Sequence, residues 1–212
     1  IPVNHDLAED IVQARPDLIL DSELGGSMTR AMARRVGARV VEVKNAANFD
    51  DIRRTLRQLG DAIGEPGRAS ALIRRMDATL AELAAHPPRR RLRVVAWSGG
   101  SAVPGKGSLT DAIITAAGAV NIAARPGVGE SSFGVEELLA ANPDALLFGG
   151  ATLGQPSLLD DEGQHRIVRR LYAGRRIAYN DVAHTCGLPQ SADDARDLRR
   201  ALDALPDRRP IR

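Results

Sequence analysis

Leu7–Leu20 reads LAEDIVQARPDLIL, and Val135–Phe148 reads VEELLAANPDALLF. Each is a short amphipathic helix with a carboxylate pair, then x-Pro-Asp, then an apolar run that reads as a short buried strand. Both runs open into glycine-containing loops, Asp21–Gly26 and Gly149–Gly154. Pro16 and Pro143 stand 127 positions apart (143 − 16). That is too far for a solenoid, whose repeats span roughly 20–50 residues, and it suits two similar lobes. Two lobes put a cleft between them, a usual place for a ligand.

The bulk properties agree with two such lobes. The chain has 212 residues, enough for one large domain or two small lobes with real cores. It is 43% hydrophobic and 26% charged, which marks a globular chain. Aromatic residues are only 3%, so the core must be Ala, Leu, Val and Ile. The pI near 9.1 overstates the charge, which is a net +2. Nearly all basic residues are Arg, with Lys only at positions 44 and 106. No stripe of Arg interleaves with aromatics, as a nucleic-acid surface would require. The densest basic cluster, Arg89, Arg90, Arg91 and Arg93 after Pro87-Pro88, reads as a solvated helix-to-strand connection. The lone Cys186 excludes an intrachain disulfide without fixing the compartment. No apolar stretch approaches the ~18 residues of a membrane span. The chain opens Ile-Pro-Val without an initiator Met, and is expected to be processed, truncated or visible only in part.

Alternation of strands and helices runs through the chain. Leu18–Leu20 and Arg39–Val43 read as strands around a helix over Ser27–Val36, with Ser27 a cap and Gly37 a stop. Asn48–Ile63 reads as a helix, with apolar Ile52, Leu56, Leu59 and Ile63 at helical spacing. Gly64–Gly67 breaks it. A second helix runs from about Pro66 to His86, Pro suiting its first turn. Twenty residues span ~30 Å, long enough to cross from one lobe to the other. After Pro87-Pro88 come strands at Leu92–Trp97, Ala145–Phe148 and Arg176–Tyr179. Helices are expected at Ser108–Ala117, Val135–Ala141, Gln164–Tyr172 and Ser191–Leu205. Strand-helix alternation argues parallel sheets, whose ligands bind beyond the carboxyl ends of the strands. Four loops sit there: Asp21–Gly26, Ser98–Gly107, Gly149–Gly154 and Asn180–Pro189.

Each candidate for chemistry has a plain counterpart. Gly100–Ser108 nearly spells a phosphate-binding loop between a strand and a helix. However, Gly107 stands where a Mg²⁺-ligating hydroxyl should be, and Ser108 comes one position late. Trp97, the only Trp, stands at the carboxyl end of a strand and reads either as a core aromatic or as a flat apolar wall for a ligand. His184 and Cys186 share a loop, but with no second Cys and no His at helical spacing they make a poor metal site. One His touching a metal chelate is a lesser demand. His5, His86 and His165 read as surface residues. No nucleophile elbow appears, and Glu136-Glu137 and Asp160–Glu162 read as helix-start charges or solvated turns.

The assembled pattern resembles the bacterial substrate-binding proteins of ABC importers for iron-siderophores, haem and cobalamin. The phrases that carry the likeness are Asp10–Leu20, then Leu56–Gly67 (LRQLGDAIGEPG) leading into the long helix. Gly107–Asn121 (GSLTDAIITAAGAVN), Val135–Leu147 and Cys186-Gly-Leu-Pro-Gln follow. The resemblance covers essentially the whole chain and lies in the order and spacing of these phrases.

It implies an α/β fold of class III periplasmic-binding-protein type: two lobes with mainly parallel sheets flanked by helices, bridged by one long helix. The expected divisions are an N-terminal lobe at 1–64, a bridging helix at 65–88 and a C-terminal lobe at 89–212. It also implies a non-enzymatic role, delivery of a metal chelate from the interlobe cleft to a membrane permease and its ATPase. Neither a resident cofactor nor a protein-bound metal is expected. No nucleic-acid partner is expected, and membrane contact is expected only through the permease or a lipid anchor, at a periplasmic or anchored surface location. Pocket positions carried over are Ser22, Glu23 and Leu24, then Trp97, Ser98, Gly99 and Ser101, then Val182, His184 and Thr185. Small Gly107 and Ser108 match the family's residues before its helix, which accounts for the near-miss phosphate loop. Family members begin with a further strand and helix, so the first lobe is expected to be incomplete. They also present one acid per lobe to permease arginines; here Glu130 or Asp161 fits the second lobe, and Glu23 is the nearest on the first. A nucleotide-dependent enzyme using Gly100–Ser108 is the alternative, and a sensor or structural subunit with an empty cleft is a third reading. Arg or Lys in the cleft would suit an anionic ferric siderophore, and His184 would suit haem or a corrinoid.

Overall fold

The two quoted phrases end their helices with one backbone device. Arg15 and Asn142, each immediately before its proline, take φ of 44° and 47°, the two non-glycine residues with positive φ among those described. A residue before proline is sterically pushed out of the right-handed helical region, and here the left-handed one turns the chain off the helix. Asn tolerates it; for Arg the conformation costs ~1 kcal/mol. The computed structural model describes residues 13–22, 27–97, 103–125, 133–149 and 165–207.

The first half is strand, helix, strand: β1 (Leu18–Ser22), α1 (Ser27–Arg35) and β2 (Arg39–Val43). The strands pair in parallel, from Leu18 opposite Arg39 to Ser22 opposite Val43. Gly37, at φ +80°, ends α1 as the sequence predicts. Next comes α2 (Phe49–Ala62), whose cap Asn48 accepts from the Asp51 N–H at 2.9 Å. The long helix α3 (Pro66–Ala85) follows with Pro at its first position and buries Ala69, Ile73, Met76, Thr79 and Leu83. A Cβ on Gly60 would fall 2.6 Å from the Ala69 Cβ, so glycine there lets α2 and α3 pack closely.

The second half builds a four-stranded parallel sheet in the order β4-β3-β5-β6. Its elements are β3 (Arg93–Ala96), α4 (Leu109–Ala116), β4 (Val120–Asn121), α5 (Val135–Ala141), β5 (Ala145–Gly149), α6 (Arg166–Leu171), β6 (Arg176–Tyr179), α7 (Asp181–Thr185) and α8 (Ser191–Asp203). Two depart from the sequence reading. The two-residue strand β4 was not expected, and α7 lies in a stretch read as loop. The α/β class, with parallel sheets flanked by helices, is as expected.

Alternation along β3 sorts two cores. Val94 and Ala96 face a cluster with Ile113, Ile114, Leu198 and Met76, where α3, α4 and α8 meet the sheet. Val95 and the following Trp97 face a second, with Phe133, Leu138, Leu146, Val168 and Tyr172. The helix α3 packs on both α2 and α8. On α8, Arg199 is 8% exposed and donates from Nε to the Ala117 carbonyl and from Nη1 to the His86 carbonyl. These carbonyls end α4 and α3, and two helix C-terminal dipoles of about half a charge each account for a cation buried there.

The arginine cluster before β3 is solvated, as expected, except at half-buried Arg93, and two of its members make contacts. Arg90 pairs with Asp207 and donates to the Leu205 carbonyl, and Arg93 Nη2 donates to the Ala141 carbonyl at 2.7 Å. Arg89 and Arg91 are exposed, as expected. So are His86 and His165, the latter capping α6.

Candidate functional site

The carboxyl ends of the strands carry the expected pocket positions, and the structure treats them differently. Ser22 closes β1 and is exposed. Glu23, Leu24, Ser98, Gly99 and Ser101 lie outside the described residues, as do the expected permease acids Glu130 and Asp161.

Trp97 belongs to the core. It is 1% exposed, and its Nε1–H donates to the Phe133 carbonyl at 2.6 Å. Phe148 meets it edge-on, with ring centroids 6.3 Å apart at 89°. The pleat that sends Val95 to the second core sends Trp97 the same way. Of its two readings, the ligand wall is therefore corrected to the core aromatic.

Helix α7 is the best-built feature at this edge. Asn180 caps it by accepting from the Val182 N–H at 3.1 Å. Ser191, at the start of α8, donates its hydroxyl to the Ala183 carbonyl at 2.6 Å. The Asp194 carboxylate accepts from the Asn180 backbone N–H. Val182 and Thr185, one turn apart, face outward, Val182 at 54% exposure. His184 turns inward to 7% exposure.

His184 meets its neighbours inside the protein. Thr110 Oγ1 lies 3.3 Å from Nδ1, Asp194 Oδ2 lies 3.5 Å from Nε2, and the Tyr179 ring stands 4.3 Å away. Burial lowers its pKa from 6.5 to about 4, so at neutral pH the imidazole is uncharged and the contact with Asp194 is not an ion pair. A proton on Nε2 suits both neighbours: Nδ1 accepts from the Thr110 hydroxyl and Nε2–H faces the carboxylate. Burial also raises the Asp194 pKa. The expectation that His184 meets a ligand is thus corrected: α7 presents Val182 and Thr185 instead. Thr110, Asn180, Ser191 and Asp194 were missed as supports, although Asn180 before a short polar stretch carries a cap signal.

Beyond α7 the chain meets the first half of the molecule. Gly187, at φ +62°, sits against Ala46 and Ile52 so closely that any Cβ would overlap Ala46. Cys186 is exposed beside it. Among the described residues no group of three or more His, Cys, Asp or Glu is placed to hold a metal ion, and no helix is long and apolar enough to cross a membrane.

The phosphate-loop candidate ends in an ordinary cap. Ser108 Oγ donates to the Gly105 carbonyl at 2.8 Å and accepts from the Asp111 N–H at 3.1 Å, so the hydroxyl serves α4 itself. Residues 100–102 lie outside the described residues.

The sequence profile for the periplasmic binding protein family matches residues 4–176. No curated protein matches the chain by sequence. Among solved structures, the periplasmic haem-binding protein RhuT from Roseiflexus sp. RS-1, in apo form, is 26% identical with a TM-score of 0.74, over 92% of this chain and 79% of that one. The periplasmic haem-binding protein HutB of Vibrio cholerae is 19% identical with a TM-score of 0.77, over 92% and 80%. The ABC-type Fe3+-hydroxamate transport system from Saccharomonospora viridis DSM 43017 is 21% identical with a TM-score of 0.68, over 93% and 72%. At that identity the last two speak for the fold.

Proposed function

The chain belongs to the periplasmic binding protein family, and from that premise we propose that it is the substrate-binding component of an ABC importer. Its cargo is a metal chelate, a ferric siderophore, haem or cobalamin, captured between the lobes and handed to a permease. The chelate is cargo rather than a resident cofactor, and the protein works in the periplasm or anchored at the cell surface. The observation that carries this reading is the placement of α3. A 20-residue helix packed on α2 and α8 follows the parallel pair β1-β2 in the chain and precedes the four-stranded parallel sheet. The loops at their carboxyl ends are where such sheets take ligands. The haem-binding role in the name of RhuT from Roseiflexus sp. RS-1 supports the cargo class.

The lone Trp97 supplies the test. Its burial removes it from the contact surface, yet a coloured chelate within energy-transfer range quenches it without touching it. Haemin, ferric siderophores, cobalamin and Mg-ATP are titrated separately, with inner-filter controls. Saturable quenching by one chelate and silence with Mg-ATP is the expected result. Response to Mg-ATP alone overturns the importer reading and favours an enzyme.

A further inference from the structure

Among the described residues Arg199 is buried without a carboxylate partner. It is 8% exposed, and its Nε and Nη1 donate to the Ala117 and His86 carbonyls. Nη2 has no hydrogen-bond partner among the described residues. It stands against Gly118, so close that a Cβ there would fall 2.5 Å from it. A guanidinium carries five N–H donors and no acceptor, so this one keeps unused donors as well as charge. A buried charge of this kind is costly until an acceptor or an opposite charge meets it.

Arg199 and Gly118 both line a groove of about 490 Å³, within the ~300–1,000 Å³ of small-molecule sites. Leu80 and Leu83 of α3 and the rings of Pro87 and Pro88 give it an apolar wall, and proline presents no backbone N–H. Thr115, near the end of α4, adds a hydroxyl without a partner among the described residues, and Arg91 adds an exposed guanidinium. Pro87 and Pro88 precede β3 and Gly118 precedes β4, so the groove lies at the amino edge of the four-stranded sheet. The α7 loop follows β6 and belongs to the opposite edge.

The charge balance of the groove is one-sided. Its lining holds two cations, Arg91 and Arg199, and no carboxylate. Glu82 precedes Leu83 on α3 but is exposed and outside the lining. Asp203 and Asp207 line a neighbouring groove that shares Pro87, Pro88 and Arg199, and there Asp207 already pairs with Arg90. Asp197 on α8 is held by Arg200. Carbonyl ends of helices repel anions, but those of His86 and Ala117 are occupied by Arg199. The N–H groups of Gly118 and Ala119 close onto the Thr115 and Ile114 carbonyls.

We propose that this groove is a separate binding site for a small organic acid. The ionised carboxylate meets Arg199 Nη2, Arg91 and Thr115, and the apolar body of the acid lies along Leu80, Leu83 and the two prolines. Guanidinium donors match the geometry of a carboxylate, and the apolar wall rewards a ligand that carries more than its charge. Binding completes the hydrogen bonding of the cation that ties α3 and α4 to α8, so the ligand stabilises that junction. The inference is independent of the importer reading, because the groove lies at the edge away from the loops proposed for cargo.

The experiment titrates the isotope-labelled protein with sodium octanoate, sodium acetate and octanol, reading the Arg199 Nε–H and Gly118 amide signals by NMR. The expected result is a saturable shift of both signals with octanoate and a raised melting temperature. Octanoate binds about tenfold more tightly than acetate, which lacks the apolar body, and than octanol, which lacks the charge. Because Arg199 also ties two helix ends, the exposed groove residues Arg91 and Ala84 carry the mutational arm. R91Q weakens octanoate about threefold, and A84E, which sets a carboxylate in the groove wall, weakens it about tenfold. R57Q removes the same charge from exposed Arg57 on α2 and changes nothing. Melting curves without ligand confirm that each variant is folded. Equal binding of octanol and octanoate, shifts confined to α7, unchanged affinity in both R91Q and A84E, or no binding of octanoate each overturns the site.

Discussion

Two stretches of this protein share a phrase and a turn but not an environment. Arg15-Pro16-Asp17 and Asn142-Pro143-Asp144 leave their helices through the same left-handed residue and enter a parallel strand at once. In β5, Ala145, Leu146 and Leu147 are each 0% exposed, whereas Leu20 in β1 is 50% exposed. The aspartates differ too. Asp144 Oδ2 accepts from the Arg93 N–H at 2.8 Å, while among the described residues Asp17 offers its backbone carbonyl alone, to the Arg39 N–H at 2.9 Å. The phrase sets the turn and the strand direction; neighbours set burial. β5 sits between β3 and β6 under helices, and β1 pairs with β2 alone among the described residues.

The largest effect that tests this comparison is truncation within the strands. Leu147→Ala should cost ~3 kcal/mol through a cavity, while Leu20→Ala should cost less than ~1 kcal/mol. Urea denaturation of both variants decides it, and equal losses would mean that β1 is as buried in solution as β5.

Acid should invert the ranking by loosening the better-packed half. The folded protein holds the His184 pKa at about 4, against 6.5 for the ordinary group. Between those values the unfolded chain takes up a proton that the folded one refuses. Stability is therefore lost as pH falls from 6.5 towards 4, by up to ~3 kcal/mol. Asp194, shifted upward by burial, opposes part of this loss at the acid end as it protonates in the fold. Hydrogen exchange at pH 7 and pH 4.5 should show protection lost first around α7 and the amino end of α8. His184→Gln should flatten that pH dependence; an unaltered profile would place the acid sensitivity elsewhere.

The smallest effect sharpens the turn itself. Arg15→Asn should stabilise by ~0.5 kcal/mol and Asn142→Arg should destabilise by ~1 kcal/mol, because only Asn accepts the left-handed region cheaply. Thermal melts of the two variants would show the asymmetry. Shifts of one sign would mean that side-chain contacts, not backbone strain, govern these positions.

Where local signals were strong, the sequence was enough. Asn48, Pro66 and Ser108 each mark a helix start that the structure has, and the apolar stripe of α3 gives its length within a residue. β4 was missed because two residues carry no periodicity and exist as a strand only by pairing with Arg93 and Val94. α7 was missed because five residues cannot hold a helix alone; Asn180 caps this one, Ser191 of α8 donates to its Ala183 carbonyl and Thr110 of α4 meets its His184. The site was read less well than the fold for one physical reason. An isolated Trp or His looks the same in sequence whether it lines a pocket or fills a core, and for Trp97 and His184 the pleat of β3 and the turn of α7 choose the core.

Arg199 carries a mechanical consequence. By tying the ends of α3 and α4 to α8, it makes the long helix and the four-stranded sheet one lever, while Gly60 against Ala69 clamps the other end of that helix to α2. A lever clamped at both ends does not swing. The cargo capture proposed for this molecule is then written in its loops, and the radius of gyration from small-angle scattering should be the same for the empty and the loaded protein.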